Sequence, residues 1–216
     1  MSFDALAWVY EPVERLVFGR DLQRCRAAFL GEAAGARRAL IFGEGDGRFL
    51  QALLRANREV VADCVEASPR MIARTGARLE RSITDWRPRV RFRRQDARTW
   101  TPPPDGYDLI ATHFFLDCFV PAEAAALVGA IAEAANPGAV WLVADFCLPE
   151  RGYRRWRAKA WVAILYWACR ALTGIGPGRV PDYPAMLRGA GFFLEAERRC
   201  QAGMLLTQIW RRGENA

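Results

Sequence analysis

The sequence predicts a doubly wound α/β domain on a seven-stranded, mostly parallel sheet, and three observations predict it. The apolar run Ala39-Leu40-Ile41-Phe42 breaks into three alternate glycines, Gly43, Gly45 and Gly47, and resumes at Arg48-Phe49-Leu50 in a helix-like pattern. Strand-length apolar runs near 39–43, 60–66, 89–95, 107–112 and 139–146 then alternate with helical patterns near 47–57, 69–82 and 120–135, the rhythm of parallel βα units. After a helical stretch from Asp182 to Ala190, two more strands near 192–199 and 204–211 complete the set.

The first strand and its glycine loop define the ligand end of such a sheet. Glycines there let the backbone turn with positive φ and let a ligand lie against bare main chain. Their spacing excludes two nucleotide loops. A dinucleotide fingerprint wants the third glycine at the sixth position, which is Arg48 here, and a triphosphate-binding loop wants Gly-Lys-Ser/Thr, whereas the chain's lone lysine is Lys159. The second strand, Val60-Val61-Ala62-Asp63-Cys64-Val65, ends at Glu66, where a carboxylate can accept both hydroxyls of a ribose. The third, Val90-Arg91-Phe92-Arg93-Arg94-Gln95, ends at Asp96.

Gly-x-Gly-x-Gly after a buried strand, followed by acids at the next two strand ends, resembles the class I S-adenosylmethionine-dependent methyltransferases of the small-molecule type. The resemblance runs from about residue 35 to 212 and implies a Rossmann-like methyltransferase fold closed by an antiparallel final hairpin. It implies S-adenosylmethionine as cofactor, held by Gly43, Glu44, Gly45, Gly47, Glu66, Ala67, Met71, Asp96, Ala97 and Thr112. Met71 would pack on the adenine face and Asp96 would meet its amino group. The family's acid two residues before the first glycine is Ile41 here, and Glu44 is read as taking over the contact to the methionine ammonium, with an outward-facing loop residue as the alternative.

The reaction end belongs past the fourth strand, Tyr107-Asp108-Leu109-Ile110-Ala111-Thr112, since ligands in such sheets bind outside the strands' carboxyl ends. His113, the chain's single histidine, falls there. An imidazole that titrates near neutrality suits removal of an acceptor's proton, so His113 is read as the base and Asp117 as its orienting partner. The alternatives are a histidine that bonds backbone and an Asp117 that caps the helix beginning near Pro121. Phe114 is assigned to the acceptor pocket.

Length and composition fit one domain. With 216 residues, 52% of them hydrophobic, the chain can bury a full core. We divide it into an N-terminal helical lid (1–35), a cofactor-binding core (36–147), an inserted helix (148–180) and the final helix with its hairpin (181–216). The lid would place Tyr10 at the methionine end. The insert has a basic first half and an aromatic second half, from Tyr153 to Leu172, and would wall the acceptor pocket with Trp156 and Tyr166. Its alternatives are peripheral membrane contact through 153–172, packing on the sheet edge and a homodimer face. Its apolar run from Ala160 to Cys169 is too short to span a bilayer.

Six cysteines without a Cys-x-x-Cys pair support neither zinc nor a disulfide framework, and with no signal segment the expected compartment is the cytoplasm. The net charge of +7 rests on an arginine-rich composition. Arg87, Arg89, Arg91, Arg93 and Arg94 line the third strand, but no aromatic platform interleaves with them, which argues against a nucleic-acid partner. The function read from the sequence is methyl transfer to oxygen or carbon of a small lipophilic, aromatic or quinone-like acceptor. N-methylation of a phospholipid headgroup and a non-catalytic S-adenosylmethionine-binding scaffold are the alternatives.

Overall fold

The computed structural model describes residues 21–103, 106–147, 181–200 and 203–214. The lid residues up to 20, with Tyr10, and the insert 148–180, with Trp156 and Tyr166, lie outside the described residues.

Along the described chain come α1 (Asp21–Arg26), a 3-10 turn (Leu30–Ala33), β1 (Arg38–Phe42), α2 (Arg48–Ala56), β2 (Val61–Val65), α3 (Pro69–Glu80) and β3 (Val90–Arg93). There follow β4 (Tyr107–His113), a 3-10 turn (Leu116–Cys118), α4 (Pro121–Glu133), β5 (Ala135–Phe146), α5 (Tyr183–Gly189), β6 (Phe192–Cys200) and β7 (Leu205–Arg212). The seven strands form one sheet in the order β3-β2-β1-β4-β5-β7-β6. β1 to β5 pair in parallel, and β7 runs antiparallel between β5 and β6. Strand order reverses between β1 and β4, which puts the ligand crevice at their carboxyl ends.

Each face of the sheet carries its own apolar layer. Ile41, Phe49, Leu50, Leu53, Cys64 and Leu142 pack on one side, and Phe42, Leu127, Ile131, Trp141, Leu187 and Trp210 on the other. α2 presents Phe49, Leu50, Leu53 and Leu54 to the sheet, a stripe of neighbours one turn apart. Asn57 closes it: its amide donates to the Ala33 and Ala36 carbonyls and accepts from the Glu59 and Val60 amides, tying helix end, preceding segment and β2 together. α3 opens on Ser68, whose hydroxyl accepts from Met71 N–H, with Pro69 in the first turn.

Three local expectations are corrected. Within the N-terminal segment read as a helical lid, the described helix ends at Arg26 and continues as turns. The helix expected near 120–135 ends at Glu133, but the strand expected from 139 starts at Ala135, so Asn136-Pro137-Gly138, which reads as a helix stop, lies in β5, with a register shift opposite Tyr107 and Leu109 and Gly138 at φ 73°. The arginine stripe on edge strand β3 is not one face: Arg89 is buried, donating to the Leu54 and Asn57 carbonyls, and Arg93 pairs with buried Asp63.

Candidate active site

The glycine loop joins β1 to α2 with Gly43, Gly45 and Gly47 at φ 59°, 67° and 84°. Two of these glycines make room for protein. A Cβ on Gly43 would stand 2.6 Å from the Phe115 ring, and one on Gly47 2.8 Å from the Thr75 methyl and 3.0 Å from its Cα. A Cβ on Gly45 would meet nothing within 4 Å, so Gly45 is the bare main chain that can face a ligand. The loop is fixed from α3 by Thr75, whose hydroxyl donates to Gly45 O at 3.0 Å, and by Arg78, which donates to the Asp46 carbonyl and carboxylate. Arg48 donates to that same carboxylate at 2.6 Å.

Glu44 does not face outward. Its Oε1 accepts from Leu50 N–H at 2.9 Å, satisfying an amide of the first turn of α2 that has no partner within the helix. Burial pushes its carboxyl up to about 7, against the lowering effects of the Leu50 hydrogen bond and the Arg26 charge.

At the next strand ends stand the two expected acids. Glu66 follows β2 and accepts from Ser68 N–H at 2.9 Å, a short turn that holds the carboxylate beside Ala67 and the half-buried Met71. Asp96 follows β3, and both its oxygens lie on Arg98, at 2.5 Å at the closest, an ion pair that holds its carboxyl below the usual range. Ala97 packs with Trp100 against the core. The topology thus gathers Gly45, Glu66, Ala67, Met71, Asp96 and Ala97 at the carboxyl edge of β1, β2 and β3.

The fourth strand departs from expectation. Thr112 is fully buried and its hydroxyl accepts from Trp141 Nε1 at 2.9 Å, so its side chain braces β4 on β5. His113 is buried with its ring edge-on to Phe49, centroids 4.4 Å apart, and its Nε2 has no hydrogen-bond partner among the described residues. Burial, helped by the nearby Arg26 charge, pushes its pKa down to about 3. The base expected to titrate near neutrality is therefore a neutral, weakly basic imidazole.

Asp117 is not His113's partner, nor does it cap α4, where Glu123 instead reaches back to Val120 N–H. Its carboxyl lies within hydrogen-bonding reach of Asp145, near the end of β5, and both are buried. Phe114 holds φ 54°, the one non-glycine residue with positive φ among those described, with its ring 4.9 Å from Phe146 and under the Arg26 guanidinium.

Reasoning from sequence passed over Arg26 and Asp145. For Asp145 a signal existed: an acid in the final residues of an apolar strand, the same cue that found Glu66. Arg26 carries none, because only packing brings it to the loop.

The strand order, the open glycine loop and the acids at successive strand ends define the class I methyltransferase fold. Residues 40–141 match the methyltransferase domain family. Solved structures agree in fold. An O-methyltransferase family protein from Burkholderia thailandensis superposes with a TM-score of 0.68 at 16% identity, over 100% of this chain and 64% of that one. The mitomycin 7-O-methyltransferase MmcR gives 0.65 at 23% identity, over 99% of this chain and 61% of its own. The N-methyltransferase NodS from Bradyrhizobium japonicum WM9 gives 0.63 at 14% identity, over 89% of this chain and 97% of its own. The chain thus spans less than two thirds of the first and second of these structures. Among curated proteins no sequence matches it. Among the described residues no helix is long and apolar enough to cross a membrane.

Proposed function

We propose that the chain transfers the methyl group of S-adenosylmethionine to a small lipophilic acceptor, at oxygen or carbon of an aromatic or quinone-like compound. The observation that carries the reading is the open face of Gly45 between β1 and α2, flanked by Glu66 and Asp96 at the next strand ends. These residues fit the cofactor: Glu66 would take the ribose hydroxyls, Met71 and Ala97 the adenine faces, and Asp96 the adenine amino group. When bound, the cofactor supplies an electrophilic methyl on a sulfonium.

The chain's own contribution is positioning and exclusion of water. Phe115 stacks on Phe42 at 5.5 Å and meets Phe119 edge-on at 5.0 Å, an aromatic wall beside the glycine loop that favours a flat, apolar acceptor. His113, neutral across the physiological range, can accept a hydrogen bond at Nε2 and so orient a hydroxyl without removing its proton.

Transfer of an isotopically labelled methyl group from S-adenosylmethionine to a panel of phenols, hydroquinones and amines tests the reading. Label in phenols or hydroquinones supports it. Label confined to amines contradicts the acceptor class, and no label in any acceptor, from protein shown to bind the cofactor, contradicts transferase activity. Repeating the assay with anionic vesicles addresses the phospholipid alternative.

A further inference from the structure

We propose that Asp117 and Asp145 are positioning residues: a carboxyl pair sharing one proton, which clamps the strained loop after β4 and so seats Phe115 against Gly43 of the cofactor loop.

The argument starts from hydrogen-bond chemistry. Two carboxylates are acceptors alone, so they can bond only when one carries a proton. Asp117, in the turn Leu116–Cys118, and Asp145, on β5, are 4% and 2% exposed with their carboxyls in reach of each other. Asp145 Oδ1 accepts from Phe146 N–H at 2.7 Å, and its Oδ2 receives no N–H or O–H donor among the described residues. A proton on the pair supplies the missing bond. Burial and the Asp117 charge both hold Asp145 well above the ordinary carboxylate range, which keeps that proton in place.

The pair bridges two segments that strain would otherwise separate. Between His113 and Leu116 the chain passes through Phe114 at φ 54°, a conformation that costs about 1–3 kcal/mol for a residue with a Cβ and persists where the surroundings enforce it. On one side of Phe114 its own amide is fixed to Ala144 O at 2.6 Å. On the other, Asp117 is fixed to Asp145, the next residue of the same strand. Between these two ties stands Phe115, whose ring occupies the place a Gly43 Cβ would take. A proton shared at β5 is in this way connected to the shape of the glycine loop.

Among the described residues, the titratable groups facing the pair include Tyr183 of α5, Cys118 beside Asp117 and Cys25 of α1, with Cys147 beyond β5 and Glu197 of β6 around Tyr183. Tyr183 and Cys25 are themselves pushed up by burial, so neither ionises before the pair.

Asp145→Asn supplies a permanent N–H donor of the same shape and removes the titration. The test measures thermal stability and calorimetric affinity for S-adenosylhomocysteine from pH 5 to 9, in wild type, Asp145→Asn and Asp145→Ala. Because the folded pKa is raised, the stability it contributes is full below the unfolded carboxylate value and is lost as pH rises toward the folded one. Wild type should therefore lose stability and at least threefold in affinity across the range. Asp145→Asn should hold its affinity nearly constant and keep only the part of the stability slope that Glu44 contributes, and Asp145→Ala should be weak throughout. An Asn variant with the wild-type pH slope, or an Ala variant that binds like wild type, overturns the proposal. The stability arm stands apart from the methyltransferase reading: if S-adenosylhomocysteine does not bind at all, the clamp is judged on the pH slope of stability alone.

Discussion

The two halves of the ligand edge hold their polar groups differently. Around the glycine loop, Glu44 takes Leu50 N–H, Asp46 takes Arg48 and Arg78, and Glu66 takes Ser68 N–H. Across the switch point, at the ends of β4 and β5, His113 Nε2 and Asp145 Oδ2 lack donors among the described residues and Phe114 sits at positive φ. The first half is fixed by hydrogen bonds before any ligand arrives. The second stores desolvated groups and backbone strain, the pattern that accompanies working sites, where stability is surrendered for position.

The largest effect expected from breaking this contrast is at His113. Its folded pKa is depressed from 6.5 to about 3, so its contribution to stability is full above the unfolded value and is lost as pH falls toward the folded one. Across that window the loss approaches about 4 kcal/mol, at roughly 1.4 kcal/mol per unit. Between pH 7 and pH 4, denaturant unfolding should show wild type losing about 3 kcal/mol more than His113→Phe, since Glu44 contributes equally to both. An equal loss in both would place the titration elsewhere. The same neutrality predicts no histidine limb between pH 5 and 8 in the rate profile.

Next come the glycines. Gly47→Ala forces a Cβ against the Thr75 backbone at φ 84° and should cost about 2–3 kcal/mol, read as a fall in melting temperature. Gly45→Ala, at φ 67° but facing open space, should cost about 1 kcal/mol in stability while weakening S-adenosylhomocysteine at least tenfold. Equal affinity losses in the two variants, once corrected for folding, would mean that Gly45 has no special exposure to the ligand.

The smallest effect is at Glu44. Its carboxyl is raised from 4.5 to about 7, so stability is lost as pH climbs between those values. Because the side chain is half-buried and partly screened, Glu44→Gln should gain about 1 kcal/mol over wild type at pH 8 and flatten the slope from pH 5 to 7.5. A variant less stable than wild type at pH 8 would mean that the ionised form is the one the helix end prefers.

The succession of strands and helices and the positions of Gly45, Glu66 and Asp96 were legible because they follow from local rules: an apolar run, a turn that needs positive φ, an acid at the strand end. Asp117 was misread as the partner of His113 because its side chain reaches Asp145 instead, and the partners of Thr112 and Glu44, Trp141 and Leu50, were equally out of view, since spacing cannot reveal such pairings. His113 was placed correctly at the strand end, but its titration depends on burial against Phe49, a tertiary fact. The bulge at Asn136-Pro137-Gly138 escaped notice for the same reason: the signals that stop a helix do not say that the next strand has already begun.

The claim that this edge holds S-adenosylmethionine through Glu66 is tested by calorimetric titration with S-adenosylhomocysteine, on wild type and Glu66→Ala, with NAD and ATP as controls. Micromolar binding of S-adenosylhomocysteine alone, weakened at least tenfold in the variant, is the expected result. No binding by folded wild-type protein, or equal affinity in Glu66→Ala, would contradict it.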